Sequence, residues 1–253
     1  MKLTAEEIDI GTRTPTVLLN STDASELGAH PLDRVRIRHG PDVATGIVEI
    51  TDELVAPGLL GVTRQISHIT GDVEITLASK PDSAAYITKK LDDVELEHDE
   101  IAAVVRDINH DLLSDVELGA FVSGLYAHGL SRAEIMNLTD SMVDIGETIE
   151  WDREPIVDKH SIGGVAGNRV TPIVVPIVAA AGVPIPKSSS RAVTSAAGTA
   201  DTMEVFCDVS FSVSEVRELV SKTNGCMVWG GAVTLSPVDD KIIRAETPLS
   251  LDP

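Results

Sequence analysis

Lys159-His160-Ser161-Ile162-Gly163-Gly164-Val165-Ala166-Gly167-Asn168 brings together a cation, a hydroxyl and three glycines. Glycines let backbone N–H groups approach an anion closely, Ser161 can donate its hydroxyl, and Lys159 adds a full positive charge. No GxxxxGK[ST] run is present, so this is not a Walker loop. A second cluster, Ser188-Ser189-Ser190-Arg191-Ala192-Val193-Thr194-Ser195-Ala196-Ala197-Gly198-Thr199, places six hydroxyls and one guanidinium in twelve residues. Arg can grip a phosphate through two parallel bonds, while Ser and Thr donate without adding a competing anion. Both clusters lie in a stretch, Lys159 to Ala200, with no aspartate or glutamate, although the chain holds 40 acidic residues in 253 and a formal net charge of -20. The charged side chains of that stretch are Lys159, Arg169, Lys187 and Arg191. Excluding anions from one window of so anionic a chain fits a place where an anionic ligand sits without like-charge repulsion. Burial also excludes acids, and Val170 to Pro186 is apolar, but burial does not explain bases and hydroxyls at both ends of that run.

The elements that position these loops follow from periodicity. Val35 and Ile37 alternate with Arg34, Arg36 and Arg38, and Val73, Ile75 and Leu77 alternate with Asp72, Glu74 and Thr76, the period of half-buried strands. Residues 1–84 therefore read as a β-rich, barrel-like domain with turns at Gly40-Pro41, Pro57-Gly58 and Gly71-Asp72. Ile101, Val104, Val105 and Ile108 then fall on one helical face. Ser114 to Glu117 and Ser131 to Glu134 have capping-box spacing, with Phe121, Val122 and Leu125, then Ile135, Met136, Met142 and Val143, expected inward, and Gly129 and Gly146 as stops. Residues 85–150 form a helical domain on this reading. From Trp151 to Pro253 the texture is the beginning of an α/β domain. Pro155 to Lys159 reads as a short strand feeding the glycine loop, and the run after Val170 as a buried helix. Ser212 to Glu215 caps a helix ended by Gly225, and a strand is expected over Met227 to Leu235. Leu249-Ser250-Leu251-Asp252-Pro253 reads as a helix entrance with Asp252 as N-cap, which makes a fragment or truncated chain the expectation.

Composition bounds the function classes. A hydrophobic share of 43% supports a packed core. Acidity outside the window argues against nucleic acid, because a duplex binder needs a basic face to displace counterions. Cys207 and Cys226 form no metal-type spacing, so no structural metal is expected. The start, with Glu6, Glu7 and Asp9, is unlike a signal peptide, and Ile173 to Val183 is too short and too interrupted by Pro176 to span a bilayer. The expectation is a cytoplasmic protein with no membrane partner. Only eight of the 20 basic residues are lysine, and so acidic a surface is suited to a high-salt cytosol.

The paired motifs Lys159-His160-Ser161-x-Gly163-Gly164 and Ser190-Arg191-x-x-x-Ser195-Ala-x-Gly198-Thr199-x-Asp201-x-x-Glu204 resemble the thymidine phosphorylase group of nucleoside phosphorylases. Within that group the chain is most similar to the archaeal AMP phosphorylase branch, through its long β domain, the Ser189-to-Thr199 loop, Trp229-Gly-Gly and Leu249-Ser-Leu-Asp252-Pro. The resemblance spans this whole chain and about half of a family member. It implies phosphorolysis of AMP to adenine and ribose 1,5-bisphosphate, with CMP and UMP as further substrates and no cofactor. It implies nucleotide binding by Gly164, Ser190, Arg191, Ala192, Val193, Thr194, Ser195 and Thr199. Phosphate contacts would come from Lys159, Ser161, Thr171 and Ser189. Asp252 would be the proton donor to the leaving base, a role worth roughly 10²- to 10⁴-fold and requiring a carboxyl kept protonated. His160 would face the base or orient its neighbours. A homo-oligomer, dimer or larger, is implied as well. Two alternatives stay open, a pyrimidine nucleoside phosphorylase and an inactive phosphate-binding or assembly fragment.

Overall fold

The protein is a computed structural model that describes residues 1–160, 168–192 and 197–251. Two compact units divide it, Met1–Ala85 with His110–Glu117, and Tyr86–Asn109 with Leu118–Pro253.

The first unit is built on a closed six-stranded barrel. Its strands are β1 (Lys2–Glu7), β2 (Thr16–Leu19), β3 (Arg34–His39), β4 (Asp42–Ile50), β5 (Leu59–Val62) and β6 (Gly71–Ala78), with helix α1 (Ser21–Leu27) after β2. The order around the barrel is β1-β5-β2-β4-β3-β6. The β1/β5 and β2/β4 pairs are parallel and the other four antiparallel. Alternation sends Leu3, Val17, Leu19, Val35, Ile37, Val48, Leu60, Val62, Val73 and Ile75 inward to one core. Leu77, expected to continue the inward set of β6, is instead 48% exposed near the strand's end. Closure removes free sheet edges from this unit. On the face of β3 opposite Val35 and Ile37, the buried Arg34 guanidinium donates to Glu117 Oε1 at 3.2 Å and to the Leu112 carbonyl at 2.8 Å. Burial alone would raise the Glu117 carboxyl, but Arg34 and the Ser114 amide and hydroxyl outweigh it and hold it below the usual carboxylate range.

The second unit opens with helices α2 (Asp82–Leu91), α3 (His98–Asn109), α4 (Asp115–His128) and α5 (Arg132–Ile145), of which α2 and α4 run in from the first unit. Ile101, Val104, Val105 and Ile108 of α3 and Phe121, Val122 and Leu125 of α4 are buried as their period dictates. Ser131 and Glu134 close a reciprocal capping box, and Ser114 exchanges the same bonds with Glu117. The phase of α5 corrects the expectation. Ile135, Met136 and Val143 are 51%, 56% and 53% exposed, and Met142 is half-buried. What α5 buries instead is Glu134 and Ser141. A buried ion pair, Lys90 Nζ to Glu134 Oε1 at 2.9 Å and Oε2 at 3.1 Å, sets this rotation.

The α/β part follows with α6 (Thr171–Ala180), β7 (Ile185–Ser189), α7 (Thr199–Glu204), α8 (Val213–Thr223), β8 (Gly225–Trp229), α9 (Gly230–Val233) and α10 (Pro237–Leu249). β7 and β8 pair in parallel from Ile185↔Gly225 to Ser189↔Trp229, so both deliver their C-terminal ends to the same edge. Four expectations are corrected here. Residues 155–159 form no strand, although the Val157 amide does donate to the Pro184 carbonyl at 3.0 Å. The helix after Val170 exists but is not buried: Thr171 and Val175 face inward, whereas Ile173 and Ile177 are 61% and 63% exposed, because the described chain covers one face only. β8 stops at Trp229, where the chain turns into α9 instead of continuing as a strand to Leu235. Asn224, in the left-handed region at φ 60, ends α8 one residue before Gly225. The helix entrance expected at Asp252 and Pro253 lies outside the described residues.

Candidate functional site

The parallel strands fix the edge at which the residues after β7 emerge, and ligands of open α/β sheets sit beyond the carboxyl ends of the strands. β7 carries Lys187, Ser188 and Ser189 to that edge, and Ser190 and Arg191 follow directly. Lys159 approaches the N-terminus of α6, where its Nζ donates to Thr171 Oγ1 at 3.0 Å. Thr171 is 1% exposed, so its hydroxyl is fixed by packing as well as by the lysine. Lys187 lies 6% exposed on β7, with its Nζ bonded to the Ser188 carbonyl and 3.8 Å from Asp158 Oδ1. Burial pushes the Lys187 ammonium below its ordinary value; Asp158 acts against that shift and the charge of Lys159 adds to it. Lys187 thus lies under the opposing influence of a largely solvated carboxylate, Asp158, and a second cation, Lys159.

The other end is organised by acids that follow the donor-rich loop. Asp201 Oδ2 accepts from the Ala192 amide at 2.8 Å and the Gly198 amide at 2.9 Å, pinning both shoulders of the loop with one oxygen. A Cβ at Gly198 would lie 2.7 Å from the Ser190 carbonyl oxygen and 2.7 Å from the Arg191 carbonyl carbon, so this close approach needs glycine. Arg191 Nη1 donates to Asp201 Oδ1 at 2.9 Å and Glu204 Oε2 at 2.6 Å, and Nη2 to Glu204 Oε1 at 2.8 Å. Its guanidinium carbon stands 4.6 Å from the centre of the Trp229 ring. Glu204 and then Asp201 raise the Arg191 pKa still further. Burial would raise the Asp201 carboxyl, but the Gly198 and Ala192 amides and Arg191 hold it low. Thr199, the first residue of α7, is buried at 7% exposure. Ser189 is half-buried, its hydroxyl donating to the Ser190 carbonyl at a long 3.4 Å.

Comparison with known sequences decides the family. The helical bundle domain of a glycosyl transferase family matches residues 84–146, and the a/b domain of that family matches residues 153–247. The chain belongs to this glycosyl transferase family. Its curated relatives include the AMP phosphorylase of Natronomonas pharaonis, 58% identical over 255 residues that cover 100% of this chain and 51% of the relative. The AMP phosphorylases of Methanosarcina acetivorans and Thermococcus kodakarensis are 49% and 46% identical, each across 100% of this chain and 51% of the relative. The glycosyl transferase chain thus spans about half the length of the curated relatives it matches. Among solved structures, the anthranilate phosphoribosyltransferase of Thermus thermophilus aligns with a TM-score of 0.53 at 20% identity, covering 66% of this chain and 51% of that one. That likeness concerns the fold.

Of the expected site residues, the structure of this glycosyl transferase chain joins Lys159 to Thr171 and sets Ser189, Ser190, Arg191, Ala192 and Thr199 around the end of β7. His160 is exposed and its charge bears on Asp239, whose carboxyl is pushed up by partial burial and by Asp240 and pulled down by His160. Ser161, Gly164, Val193, Thr194, Ser195 and Asp252 lie outside the described residues. Both terminal nitrogens of Arg191 bond to carboxylates of the chain, through three of its five N–H donors. Lys187 and Trp229 were not singled out as site residues from sequence; the basic charge inside the acid-free window and the aromatic closing β8 were the signals available. Among the described residues no His, Cys, Asp and Glu cluster could hold a metal ion, and no helix is long and apolar enough to cross a membrane.

Proposed function

We propose that this chain carries the nucleotide and phosphate cradle of an enzyme that phosphorolyses nucleoside 5'-monophosphates. AMP and inorganic phosphate would give adenine and ribose 1,5-bisphosphate, with CMP and UMP as further substrates. The observation that carries the reading is the acid-free stretch, with Lys159 bonded to Thr171 and with residues 187–189 at the carboxyl end of a parallel strand, in a chain similar throughout to AMP phosphorylases. In the reaction a phosphate oxygen forms a bond to the anomeric carbon while the bond from that carbon to the base nitrogen breaks. The electron pair leaves with the base, which needs a proton. Asp252 is the proposed donor, with His160 beside the base or orienting it. Gly164 and the run Ser190 to Ser195, with Thr199, would hold the nucleotide. Lys159, Ser161, Thr171 and Ser189 would meet phosphate, and the buried Lys187 joins them.

The acidic surface supports work in a salty cytoplasm, where a short Debye length relieves self-repulsion. The apolar row Ile135, Met136 and Val143 on α5 supports assembly with further copies of the chain. Incubation with AMP, CMP, uridine or thymidine, each with and without phosphate, followed by chromatography of the free bases, tests the substrate reading. Phosphate-dependent release from the monophosphates is expected. Turnover of uridine or thymidine with none of AMP would replace this reading with a pyrimidine nucleoside phosphorylase.

A further inference from the structure

Among its described residues, the second unit buries two lysines, and it satisfies them differently. Lys90 and Glu134 form a closed pair: their side chains are 4% and 2% exposed, and the ammonium lies 2.9 and 3.1 Å from the two carboxylate oxygens. The Lys187 side chain is buried to a similar degree, at 7% exposure, yet the carboxylate it faces, Asp158, stands 3.8 Å away and is 55% exposed. The Lys187 ammonium donates to the Ser188 carbonyl, a neutral partner. A buried ammonium with so loose a counter-ion is only partly compensated for its lost hydration.

The segment that carries Asp158 also brings a second cation. The Val157 amide donates to the Pro184 carbonyl at 3.0 Å, which lays residues 157–159 beside the start of β7. Asp158 Oδ1 accepts from the Lys159 amide at 2.7 Å, so this carboxylate has an anchor of its own besides Lys187. Burial lowers the Lys187 ammonium below its ordinary value, Asp158 opposes that shift, and the charge of Lys159 adds to it. Lys159 in turn reaches Thr171 Oγ1 at 3.0 Å, on the first residue of the ten-residue helix α6, whose first turn holds no acid. Two ammonium groups that repel each other, one of them buried, suit the several oxygens of a phosphoryl group better than a single carboxylate oxygen 3.8 Å away.

We propose that Asp158 is a stand-in anion: in the ligand-free chain it partly balances Lys187, and a phosphoryl group, from inorganic phosphate or from a 5'-phosphate ester, takes its place on Lys187 and Lys159. This rests on the cradle reading above and adds to it an internal competitor. Asp158 lies one residue before the acid-free stretch and is more than half exposed, so its carboxylate can turn to water without a desolvation cost. Lys187 is then a binding residue, while Asp158 opposes the ligand with its own charge. Removing an acid beside a binding lysine should therefore strengthen binding.

Calorimetric titration of the 253-residue chain and of Asp158→Asn with inorganic phosphate, and separately with ribose 5-phosphate, at low salt where screening is weakest, tests the exchange. Asparagine keeps an oxygen for the Lys159 amide and removes the charge. Asp158→Asn should bind about threefold more tightly whichever of the two ligands occupies this position, and Lys187→Met should weaken that same ligand by about tenfold or more. The ligand that responds tells inorganic from ester phosphate, and either identity supports the exchange. Asp92→Asn, at an exposed carboxylate just past α2, makes the same change in net charge and should leave both affinities as they were. Equal tightening by Asp92→Asn would reduce the effect to net charge and overturn the proposal. Should Asp158→Asn lose its far-ultraviolet circular dichroism, Asp158→Ser takes its place with the same expectation. If the unaltered chain binds either ligand while the Asp158 variant binds it no more tightly, the exchange fails and the cradle stands. If the unaltered chain binds neither of them and no AMP, the cradle reading falls and the exchange with it.

Discussion

Replacing Lys90 by methionine should destabilise the second unit more than any exposed charge change. The Lys90 and Glu134 side chains are only 4% and 2% exposed. Glu134 Oε1 also accepts from the Leu96 amide at 3.0 Å, and Oε2 from the Ser131 amide at 2.8 Å. Methionine fills a similar volume but leaves a carboxylate buried without its cation. Breaking a buried pair from one side costs about 3–5 kcal/mol, whereas an exposed pair is worth about 0–1 kcal/mol. For a chain of this size that corresponds to a fall of about 6–20 °C in the melting temperature. Burial raises the Glu134 carboxyl, and the Ser131 and Leu96 amides with Lys90 overcome it, so the folded-state pKa is lowered. That contribution is therefore present above the ordinary carboxylate pKa and is lost as pH falls through the lowered folded value. Thermal and urea melts of Lys90→Met, Glu134→Leu and the double variant, at neutral pH in the same salt, form the assay. The double variant should lose less than the two singles combined, because it removes the orphaned charge. A loss under about 1 kcal/mol for Lys90→Met, or strict additivity, would refute the claim that this pair sets the rotation of α5.

Other substitutions follow from the same geometry. Lys187→Met should raise the melting temperature of the ligand-free chain at neutral pH, since burial penalises the charged lysine, and should weaken inorganic phosphate binding at least tenfold by calorimetry. Gly198→Ala forces a Cβ to 2.7 Å from the Ser190 carbonyl oxygen, so it should open the loop, cost about 1–3 kcal/mol in a urea melt of the second unit, and abolish AMP binding. Glu117, Glu134 and Asp201 all have lowered folded pKa values, so stability should be full above the ordinary carboxylate range and decline as pH falls through their folded values, read by circular dichroism in an acid titration.

What the sequence makes legible is what short-range chemistry specifies. The capping boxes at Ser114, Ser131 and Ser212 form as their spacing demands, and the alternation in β3 does place Val35 and Ile37 in a core. Barrel closure is harder to read, because it needs parallel pairs such as Thr16↔Ile47 between strands far apart in sequence. The rotation of α5 is misread for a physical reason: hydrophobic periodicity assumes that apolar residues are buried, while here a charged residue satisfied by Lys90 takes the inward stripe. Helix α6 shows the converse, an apolar run whose outer face nothing in the described chain covers. At the site, the loop residues are conspicuous by type, but their partners are not. Arg191 finds its carboxylates ten and thirteen residues further on, and its aromatic neighbour on another strand. Lys187 looks like any surface lysine until the fold buries it.

The central claim is that the acid-free stretch is the cradle for an anionic nucleotide. Calorimetric titration of AMP into Lys159→Ala, set beside Arg36→Ala on the exposed outer face of β3, tests it most directly. The account predicts at least a tenfold loss of affinity for the first, through the lost charge-assisted bond, and no change for the second. Equal AMP affinity in the unaltered chain and Lys159→Ala would contradict it.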